Sequence, residues 1–401
     1  MAIDDPRSTP ANQRSVRRHN LGVVLRHVAD RGRLSRAAIA HETGLNKTTV
    51  SSLVGELIEL GLVRETELEL RGTVGRPALP VELSGRGVAG LGLEIGVDYL
   101  AVRADDLGGV ERHRAVSAGD NRGRPMDAVL DDLAGLAGEA LAALSHVGVL
   151  TAGAVVALPG LVDSAGRLLV APNLGWTDVS VPEQLTERLG SPPFPLRADN
   201  EANLGALAEL WLGAGRRLRD FIYVSGERAG VGSGIVVGGE LFRGAGGLGG
   251  ELGHMTVDPD GDLCACGSRG CVETRVGLGA LVAAAGLDPA AGDDELALSA
   301  EAGEARTLEA LTAAGHWLGV GVASAANLLN PRGIVLGDYL ATLAPWLAPG
   351  VEHELGVRVL SAQWDVPAVV SSAMGAEAAV RGASALALRR VYSDPGLVAE
   401  L

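Results

Sequence analysis

Apolar residues near the start of the chain repeat at the spacing of amphipathic helices. The pattern predicts a first helix around residues 21–28 that ends at Gly32, and a second helix that begins after Ser35, a suitable N-cap. The Thr-Gly-Leu triplet at 43–45 predicts a tight turn, and a third helix follows over residues 46–60. Helix, short glycine-containing turn and helix are typical of a helix-turn-helix. The predicted buried face of the third helix consists of Val50, Leu53, Val54, Leu57 and Ile58.

The residues after the third helix predict a small β wing. Residues 62–64 and 81–83 can pair as strands around a loop that contains Arg71 and Arg76. We therefore predict a winged helix-turn-helix over residues 16–84, preceded by a polar, disordered tail at residues 1–15. The alternative is a small three-helix domain with a solvated polar face.

From residue 85 to residue 401, short apolar runs alternate with helical stretches, as is typical of an α/β fold. The two halves of this body are alike in outline, and each opens with a glycine-punctuated hairpin. A Ser-Gly-Arg-Gly segment at 84–87 predicts a hinge between the head and the body. Strands are predicted at 90–97, 99–104, 147–158, 221–225, 235–237 and 333–336, and helices at 126–144, 278–284, 307–328 and 376–389.

Charge separates the two parts. Of the 34 basic and 49 acidic residues behind the net charge of −15, residues 1–85 hold 12 and 10, so the remainder holds 22 and 39. Only the head could therefore face a polyanion such as DNA, with the start of the third helix in the major groove. The side chains predicted to contact DNA are Ser35, Asn46, Lys47, Thr48, Thr49, Ser51 and Ser52 on the helices and Arg71 and Arg76 on the wing.

Composition excludes some classes of protein. No run of 18 uncharged apolar residues occurs, and no apolar segment follows the charged N-terminal residues, so neither a membrane span nor a secretory signal is expected. Hydrophobic residues make up 47% of the chain and aromatic residues only 3%, which predicts a core of Ala, Val and Leu. Three grouped thiols fit the reducing cytoplasm.

All three cysteines lie in the stretch 250–273: Cys264, Cys266 and Cys271. His254 precedes the first of them by ten residues. Thiolate and imidazole are ligands that zinc prefers, and four protein ligands leave no open position on the metal. The stretch therefore predicts a structural zinc site. The alternative is three buried thiols that cluster without a metal.

The same stretch resembles the signature of the ROK family (repressors, uncharacterised frames and sugar kinases), with GELGHM at 250–255 followed by CxCGxxGCxE at 264–273. Similar segments are PGLVD at 159–163, PNLGW at 172–176 and ADNEANLGALAE at 198–209. The resemblance implies an actin-like (ribonuclease H-like), two-lobed sugar-kinase fold behind the winged head, with a cleft near residues 200–275. It implies zinc on the His and three Cys, and a sugar bound by Asn173, Asn200, Glu201, Glu251, His254 and Glu273.

The nucleotide half of this resemblance is incomplete. ROK kinases open the body with DxGGT, whose Asp and glycines approach phosphate and metal, whereas this chain has Glu94, Gly96, Val97 and Asp98. A side chain and a negative charge at that point predict a poor phosphate site. Glu201 stands where the kinases have the Asp that takes the proton from the attacking hydroxyl. The extra methylene predicts a misplaced base.

Two further segments differ from a nucleotide site. Asp338 and Tyr339 replace the small residues that lie against adenine in the kinases, and they would crowd a purine. The glycine-rich residues 230–234 follow a strand and could cradle phosphate, although a tight turn is the more common structure for such a composition.

These observations favour a sugar-responsive transcriptional regulator, most consistent with a repressor of carbohydrate-use genes. Its expected partners are operator DNA, a monosaccharide and further copies of itself in a homodimer or homotetramer. The alternatives are a ROK sugar kinase that uses ATP, and a DNA-binding protein whose body only oligomerises. The retained polar set of the cleft argues against the last of these.

Overall fold

The computed structural model describes residues 13–66, 79–228 and 230–401. The head consists of α1 (Gln13–Arg31), β1 (Leu34–Ser35), α2 (Arg36–Thr43), α3 (Lys47–Glu59), β2 (Val63–Glu65) and β3 (Pro80–Leu83). Strand β3 pairs antiparallel with both β1 and β2, so the predicted strand pair of the wing is present. The wing residues Arg71 and Arg76, and most of the predicted disordered tail, lie outside the described residues.

Capping side chains begin the two helices of the helix-turn-helix, of which the sequence predicted the cap at Ser35. Ser35 Oγ accepts a hydrogen bond from the amide of Ala38 at 3.1 Å, and Asn46 Oδ1 accepts one from Thr49 at 2.8 Å. Gly44 ends α2 with φ of 73°, a left-handed conformation that favours glycine. The prediction for Ile58 was wrong. Ile58 was predicted to be buried but is 36% exposed, because it lies at the edge of the apolar face of α3.

The first lobe of the body is an α/β unit built on a five-stranded sheet in the order β11-β7-β4-β5-β6. Its elements are β4 (Val88–Ile95), β5 (Tyr99–Asp106), β6 (Glu111–Ala118), α4 (Met126–His146), β7 (Leu150–Leu158), β8 (Leu161–Val162), β9 (Leu168–Ala171), β10 (Trp176–Val179), α5 (Val181–Arg188) and β11 (Leu196–Asn200). Strands β8 to β10 form a separate small sheet.

The second lobe repeats this plan, with a sheet in the order β14-β13-β12-β15-β16. Its elements are α6 (Glu201–Leu212), β12 (Phe221–Glu227), β13 (Gly230–Val237), β14 (Glu240–Phe242), α7 (Val272–Val276), α8 (Leu278–Ala285), α9 (Asp293–Glu301), α10 (Ala305–Leu329), β15 (Gly333–Leu336), α11 (Tyr339–Thr342), α12 (Ala344–Arg358), β16 (Ala368–Ser371) and α13 (Ala378–Ser393).

In each sheet three strands pair antiparallel, and two further strands are added in parallel at one edge, so the halves share one topology. This agrees with the predicted α/β, actin-like architecture. The glycine-rich residues 230–234, considered above as a loop, belong to β13 and pair with β12.

Helices α6 and α13 lie between the two sheets. One group of buried side chains joins them to the first sheet through Val155, Leu204 and Ala383, and another joins them to the second sheet through Ala206, Tyr223 and Ala378. The two helices pack backbone against backbone at Gly382, where a Cβ would come within 1.9 Å of the Leu204 carbonyl oxygen. The two helices are therefore in close backbone contact at this point.

The head contacts the body directly as well as through its linker. A single buried cluster contains Leu21 and Leu25 of α1, Val88 of β4, and Leu388 and Val391 near the end of α13. Arg18 and Arg26 of α1 add polar contacts, to the Asp394 carboxylate and the Tyr392 carbonyl. Any rotation at the predicted hinge must therefore move α1 against the end of α13. None of the helices in the described part of the chain is both long and apolar enough to span a membrane.

Candidate functional site

A cavity of about 150 Å³ opens between the lobes where β7, β11 and β12 end. This volume is well below the roughly 300–1,000 Å³ of pockets for drug-sized ligands, and it suits a ligand as small as one sugar ring. The six side chains predicted to hold a sugar all line it: Asn173, Asn200, Glu201, Glu251, His254 and Glu273. The backbone of Pro159 and Gly160, also predicted to lie nearby, forms part of the wall.

Asn200 and Glu201 connect the cavity to α6. Asn200 caps the helix by accepting a hydrogen bond from the Asn203 amide at 3.1 Å. Its side-chain nitrogen donates to the Gly160 carbonyl at 3.1 Å and to Glu201 Oε2 at 2.7 Å. Asn200 thus holds one oxygen of the Glu201 carboxylate at the N-terminus of α6, where the helix dipole favours negative charge and hydroxyl oxygens.

The opposite wall carries Glu251, His254 and Glu273. Glu251 Oε2 lies 4.0 Å from His254 Nε2, and Glu273 Oε2 accepts a hydrogen bond from the Val231 amide at 3.2 Å. His254 Nδ1 points the other way, 3.6 Å from the sulfur of Cys264. One ring nitrogen of His254 therefore faces the cysteines and the other faces the cavity.

The His and three Cys converge as a metal site requires. Their ligand atoms all lie within 4.8 Å of one another, and Cys266 Sγ is 3.7 Å from Cys271 Sγ. Ligands bound tetrahedrally at about 2.0–2.3 Å from zinc are separated by about 3.5–3.8 Å. The observed separations of 3.6 and 3.7 Å match this geometry. The donor set and its spacing thus fit zinc, and the cluster adjoins the cavity, because His254 and Cys266 also line it.

Carboxylates occupy the region where a kinase would hold nucleotide. Glu94 is 2% exposed, its Oε1 accepts a hydrogen bond from the Tyr99 hydroxyl, and its Oε2 has no hydrogen-bond partner among the described residues. Burial raises the pKa of Glu94 to about 8. Asp338 accepts hydrogen bonds from Tyr223 and Ser225, and burial raises its pKa to about 6 despite them.

The negative charge of Asp98, which was predicted to oppose phosphate binding, is paired in the structure. Asp98 does not present a free negative charge, because its Oδ2 lies 3.1 Å from Arg228 Nε. Arg228 also donates to the carbonyls of Ala290 and Ala291 at 3.3 and 3.4 Å. Asp98 belongs to the first lobe and Arg228 to the second, so this ion pair joins the lobes on the nucleotide side.

Sequence reasoning missed two groups at the site. Glu227 lines the cavity and was not among the predicted sugar contacts. Its place at the carboxyl end of a strand that borders the cleft was the available signal. Arg243 donates two hydrogen bonds to the buried Asp199 carboxylate, one of them at 2.8 Å, and so joins the lobes behind the cavity. No sequence pattern indicated that pair.

The predicted DNA-contacting side chains that lie within the described residues are accessible to solvent on the head. Asn46, Lys47, Thr48, Ser51 and Ser52 are exposed, and Thr49 and Ser35 are partly exposed. Sequence reasoning did not single out two arginines beside these residues. Arg36 donates to the Ser51 carbonyl at 2.9 Å, and Arg17 donates to Ser52 Oγ at 3.1 Å.

Comparisons with known proteins agree with this two-part organisation. The model of the ROK family matches residues 90–390, and that of the IclR helix-turn-helix domain matches residues 21–67. A putative xylose repressor of Caldicellulosiruptor sp. (strain Rt8B.4) is 30% identical over 408 residues, which cover 96% of this chain and 100% of that protein.

Two solved structures show the same division. The crystal structure of a ROK family transcriptional regulator, a homolog of the E. coli MLC protein, matches with a TM-score of 0.78 and 25% identity over 96% of this chain and 98% of that chain. A ROK family glucokinase from Streptomyces griseus, crystallised with glucose and AMPPNP, matches with a TM-score of 0.65 and 26% identity. The match covers 99% of the glucokinase but 75% of this chain.

Proposed function

The chain belongs to the ROK family, and we propose that it is a DNA-binding transcriptional repressor controlled by a monosaccharide in the cleft between its lobes. The observation that carries this proposal is the contrast between the two halves of the cleft. Polar side chains converge on the sugar half, while buried carboxylates and an ion pair between the lobes fill the nucleotide half. The helix-turn-helix head supplies the DNA-binding surface.

The sugar half offers the groups that sugar hydroxyls need. Carboxylate oxygens of Glu201, Glu251 and Glu273 accept hydrogen bonds, and the side chain of Asn173 can both donate and accept. The similar protein from Caldicellulosiruptor is described as a xylose repressor, which supports a pentose or hexose as the ligand class here.

The nucleotide half supports a regulator without kinase activity. The oxygen of Glu201 nearest to Asn200 is already held by that side chain, so it is a poorly placed base for a sugar hydroxyl. Asp338, with a pKa of about 6, is mostly ionised at neutral pH and would repel nucleotide phosphates, while the buried Glu94 offers them no positive charge. Arg228, the nearby cation, is engaged by Asp98.

Zinc on His254, Cys264, Cys266 and Cys271 would have a structural role. Four protein ligands leave it no open position, so bound zinc would cross-link the loop that presents Glu251 and His254 to the cavity. Loss of the metal would then weaken the response to sugar rather than the contact with DNA.

The packing of helices suggests how the cleft controls the head. A sugar held at Glu201 contacts the first turn of α6, α6 contacts α13 at Gly382, and the end of α13 shares a core with α1. In a homodimer or homotetramer, such a shift would change the separation of two recognition helices that DNA requires to be about 34 Å apart. A sugar acts in this way only by binding one arrangement more tightly than the other. A regulator of this kind works in the cytoplasm, where DNA and reduced thiols are both present.

A thermal-shift screen of monosaccharides, followed by a gel shift with operator DNA and the hit, tests the proposal. We expect the hit to raise the melting temperature and to change DNA affinity at least about tenfold, in the range usual for allosteric coupling. Glu251→Gln should shift the sugar concentration needed for this change and leave DNA affinity without sugar unaltered. Lys47→Ala should weaken DNA binding at every sugar concentration and reduce its salt dependence.

The same preparations decide between regulator and kinase. Incubation with ATP and the sugar panel should yield no phosphorylated sugar. Turnover of any sugar would establish the kinase instead. A head that fails to bind duplex DNA at moderate salt, with or without sugar, would reject the regulator.

A further inference from the structure

The cleft has an unusual balance of charge. Four carboxylates from four different segments line it: Glu201, Glu227, Glu251 and Glu273. No lysine or arginine of the described residues is part of the lining. His254 is the one other ionisable side chain of the described lining apart from Cys266, and its Nδ1 faces the cysteines. A cationic group of a ligand could therefore meet several carboxyl groups there, whereas an anionic group would meet no lysine or arginine within the described part of the chain.

The neighbouring described residues add no free cation to this lining. Burial, and to a smaller extent the charge of Glu94, raises the pKa of both Glu201 and Glu227, so each carboxyl keeps its proton to a higher pH and a bound cation would favour its ionised form. Arg228 follows Glu227 directly, but its guanidinium is bound to Asp98 and to the carbonyls of Ala290 and Ala291. Attraction and repulsion are also several-fold stronger in such a cleft than in bulk water, because the effective dielectric constant falls from about 80 to about 20.

Glu227 differs from the other three carboxylates of the lining. Glu201 accepts a hydrogen bond from Asn200, Glu273 accepts one from the Val231 amide, and Glu251 faces His254. The Glu227 carboxylate has neither a hydrogen bond nor an ion pair with any other described residue, although it lines the cavity. It is thus the carboxylate left to meet a charged group of the ligand.

We infer that the cleft takes a monosaccharide with a protonated amino group, an unacylated amino sugar, in preference to the neutral parent sugar, that it rejects sugar phosphates, and that Glu227 sets this preference. The inference rests on the proposed function, since it names the ligand class of the same cleft. An ammonium group donates three hydrogen bonds and gains charge-assisted contacts with carboxylates that a hydroxyl does not. An acetylated amine is neutral and loses that advantage.

Isothermal titration calorimetry on the full chain at neutral pH tests the inference. The probes are glucose, glucosamine, N-acetylglucosamine and glucose 6-phosphate, with galactosamine, mannosamine and xylose as further probes. We expect at least one amino sugar to bind about tenfold more tightly than its neutral parent. The preference should shrink as salt is raised. Glucose 6-phosphate should show no binding at millimolar concentration.

Variants separate the role of Glu227 from a general effect of charge. Glu227→Gln should bring the ratio of amino-sugar to neutral-sugar affinity close to one, and Glu227→Asp, which keeps the charge, should preserve part of it. Glu240→Gln is the matched control, because Glu240 is exposed on β14 and outside the lining, and it should leave the ratio unchanged. Melting temperatures of all variants check that each is folded.

The outcomes are distinguishable. Equal affinities for amino and neutral sugars, binding of glucose 6-phosphate, or binding of xylose without any amino sugar would overturn the inference and leave the proposed function standing. An unchanged affinity ratio in Glu227→Gln would overturn the role of Glu227. If no sugar of any charge binds, both the inference and the proposed function fail.

Discussion

Glu94 is a buried carboxylate whose protonation the fold controls. Burial raises its pKa from 4.5 to about 8, so the folded protein prefers the protonated form. This preference stabilises the fold fully below about pH 4.5, and the stabilisation is lost as pH rises through about 8. Glu94→Gln keeps the shape of the protonated form. Near pH 8.5 we expect the variant to have a free energy of unfolding higher than that of the wild type by on the order of a few kcal/mol, and therefore a higher melting temperature.

The prediction concerns the difference in melting temperature between Glu94→Gln and the wild type, because other buried carboxylates titrate in both proteins. Melting curves from about pH 5 to pH 9 should show the gap closing towards acidic pH. Glu240→Gln serves as the control, since Glu240 is exposed and should give no pH-dependent gap. A Glu94→Gln protein that is less stable at every pH would mean that Glu94 functions as an anion.

Single residues were predicted well where a local rule governs them. Ser35 caps α2 as predicted, because a serine side chain can accept a hydrogen bond from the first turn of a helix, and the same rule explains the unpredicted cap at Asn46. The position of Ile58 depends on what packs beside α3, and no local pattern contains that information. The ion pair of Asp98 with Arg228 joins positions 130 residues apart, and only the folded arrangement of the lobes reveals it.

At the scale of elements, the contact of α6 with α13 depends on Gly382. A Cβ there would lie 1.9 Å from the Leu204 carbonyl oxygen, a backbone atom that cannot rotate away. Gly382→Ala should therefore force the helices apart and destabilise the protein by about 1–3 kcal/mol. Gly356→Ala is the matched control in α12, where a Cβ meets nothing within 4 Å, and it should stabilise by up to about 1 kcal/mol. Chemical denaturation of both variants measures the difference, and equal stability would show that the helix contact is not tight.

The loop at 250–273 that carries the His and three Cys gives a second prediction at this scale. Cys266→Ser removes a thiolate from the cluster, and a serine hydroxyl is a poor zinc ligand. We expect zinc content by atomic absorption to fall well below one half of the wild-type stoichiometry, together with a weaker thermal shift from sugar. Ser268→Ala in the same loop leaves all four ligands in place and should retain the metal. Full metal content in Cys266→Ser would reject this ligand set.

Most elements could be predicted because their apolar periods are regular. Strands β4, β5, β7, β12 and β15 and the long helices α4, α10 and α13 are close to their predicted positions, whereas β6, β11 and β14 were not predicted. Residues 230–234 were harder, since glycines are compatible with both a loop and a strand. They form part of β13 because they pair with β12, and glycine is required where the strand packs against α6, as at Gly234, where a Cβ would lie 2.6 Å from the Ala202 carbonyl oxygen.

For the whole molecule, the pattern predicted separate head and body but not how they are joined. The linker at 84–87 suggested a free hinge, whereas the structure adds a common hydrophobic core between α1 and the end of α13. Such contacts link residues more than 350 positions apart, so no local signal reports them. Packed helices therefore form a continuous path from the cleft through α6 and α13 to the head.

The same scale governs how the two lobes close. The ion pair of Asp98 with Arg228 favours the arrangement in which the lobes approach each other, and its side chains are about one-third exposed. An exposed pair contributes about 0–1 kcal/mol. If sugar binds the closed arrangement, Arg228→Ala should weaken sugar binding by about two- to fivefold, since the competent state is less populated.

Asp98→Ala should weaken sugar binding by a similar factor, and the double variant should be no weaker than either single one, because all three remove the same contact. Calorimetry with the sugar hit measures the affinities, and small-angle scattering should show a larger radius of gyration for each variant without sugar. Additive losses in the double variant would mean that Asp98 and Arg228 act separately. Tighter sugar binding in the variants would mean that the open arrangement is the one that sugar selects, and the direction of control over the head would then be reversed.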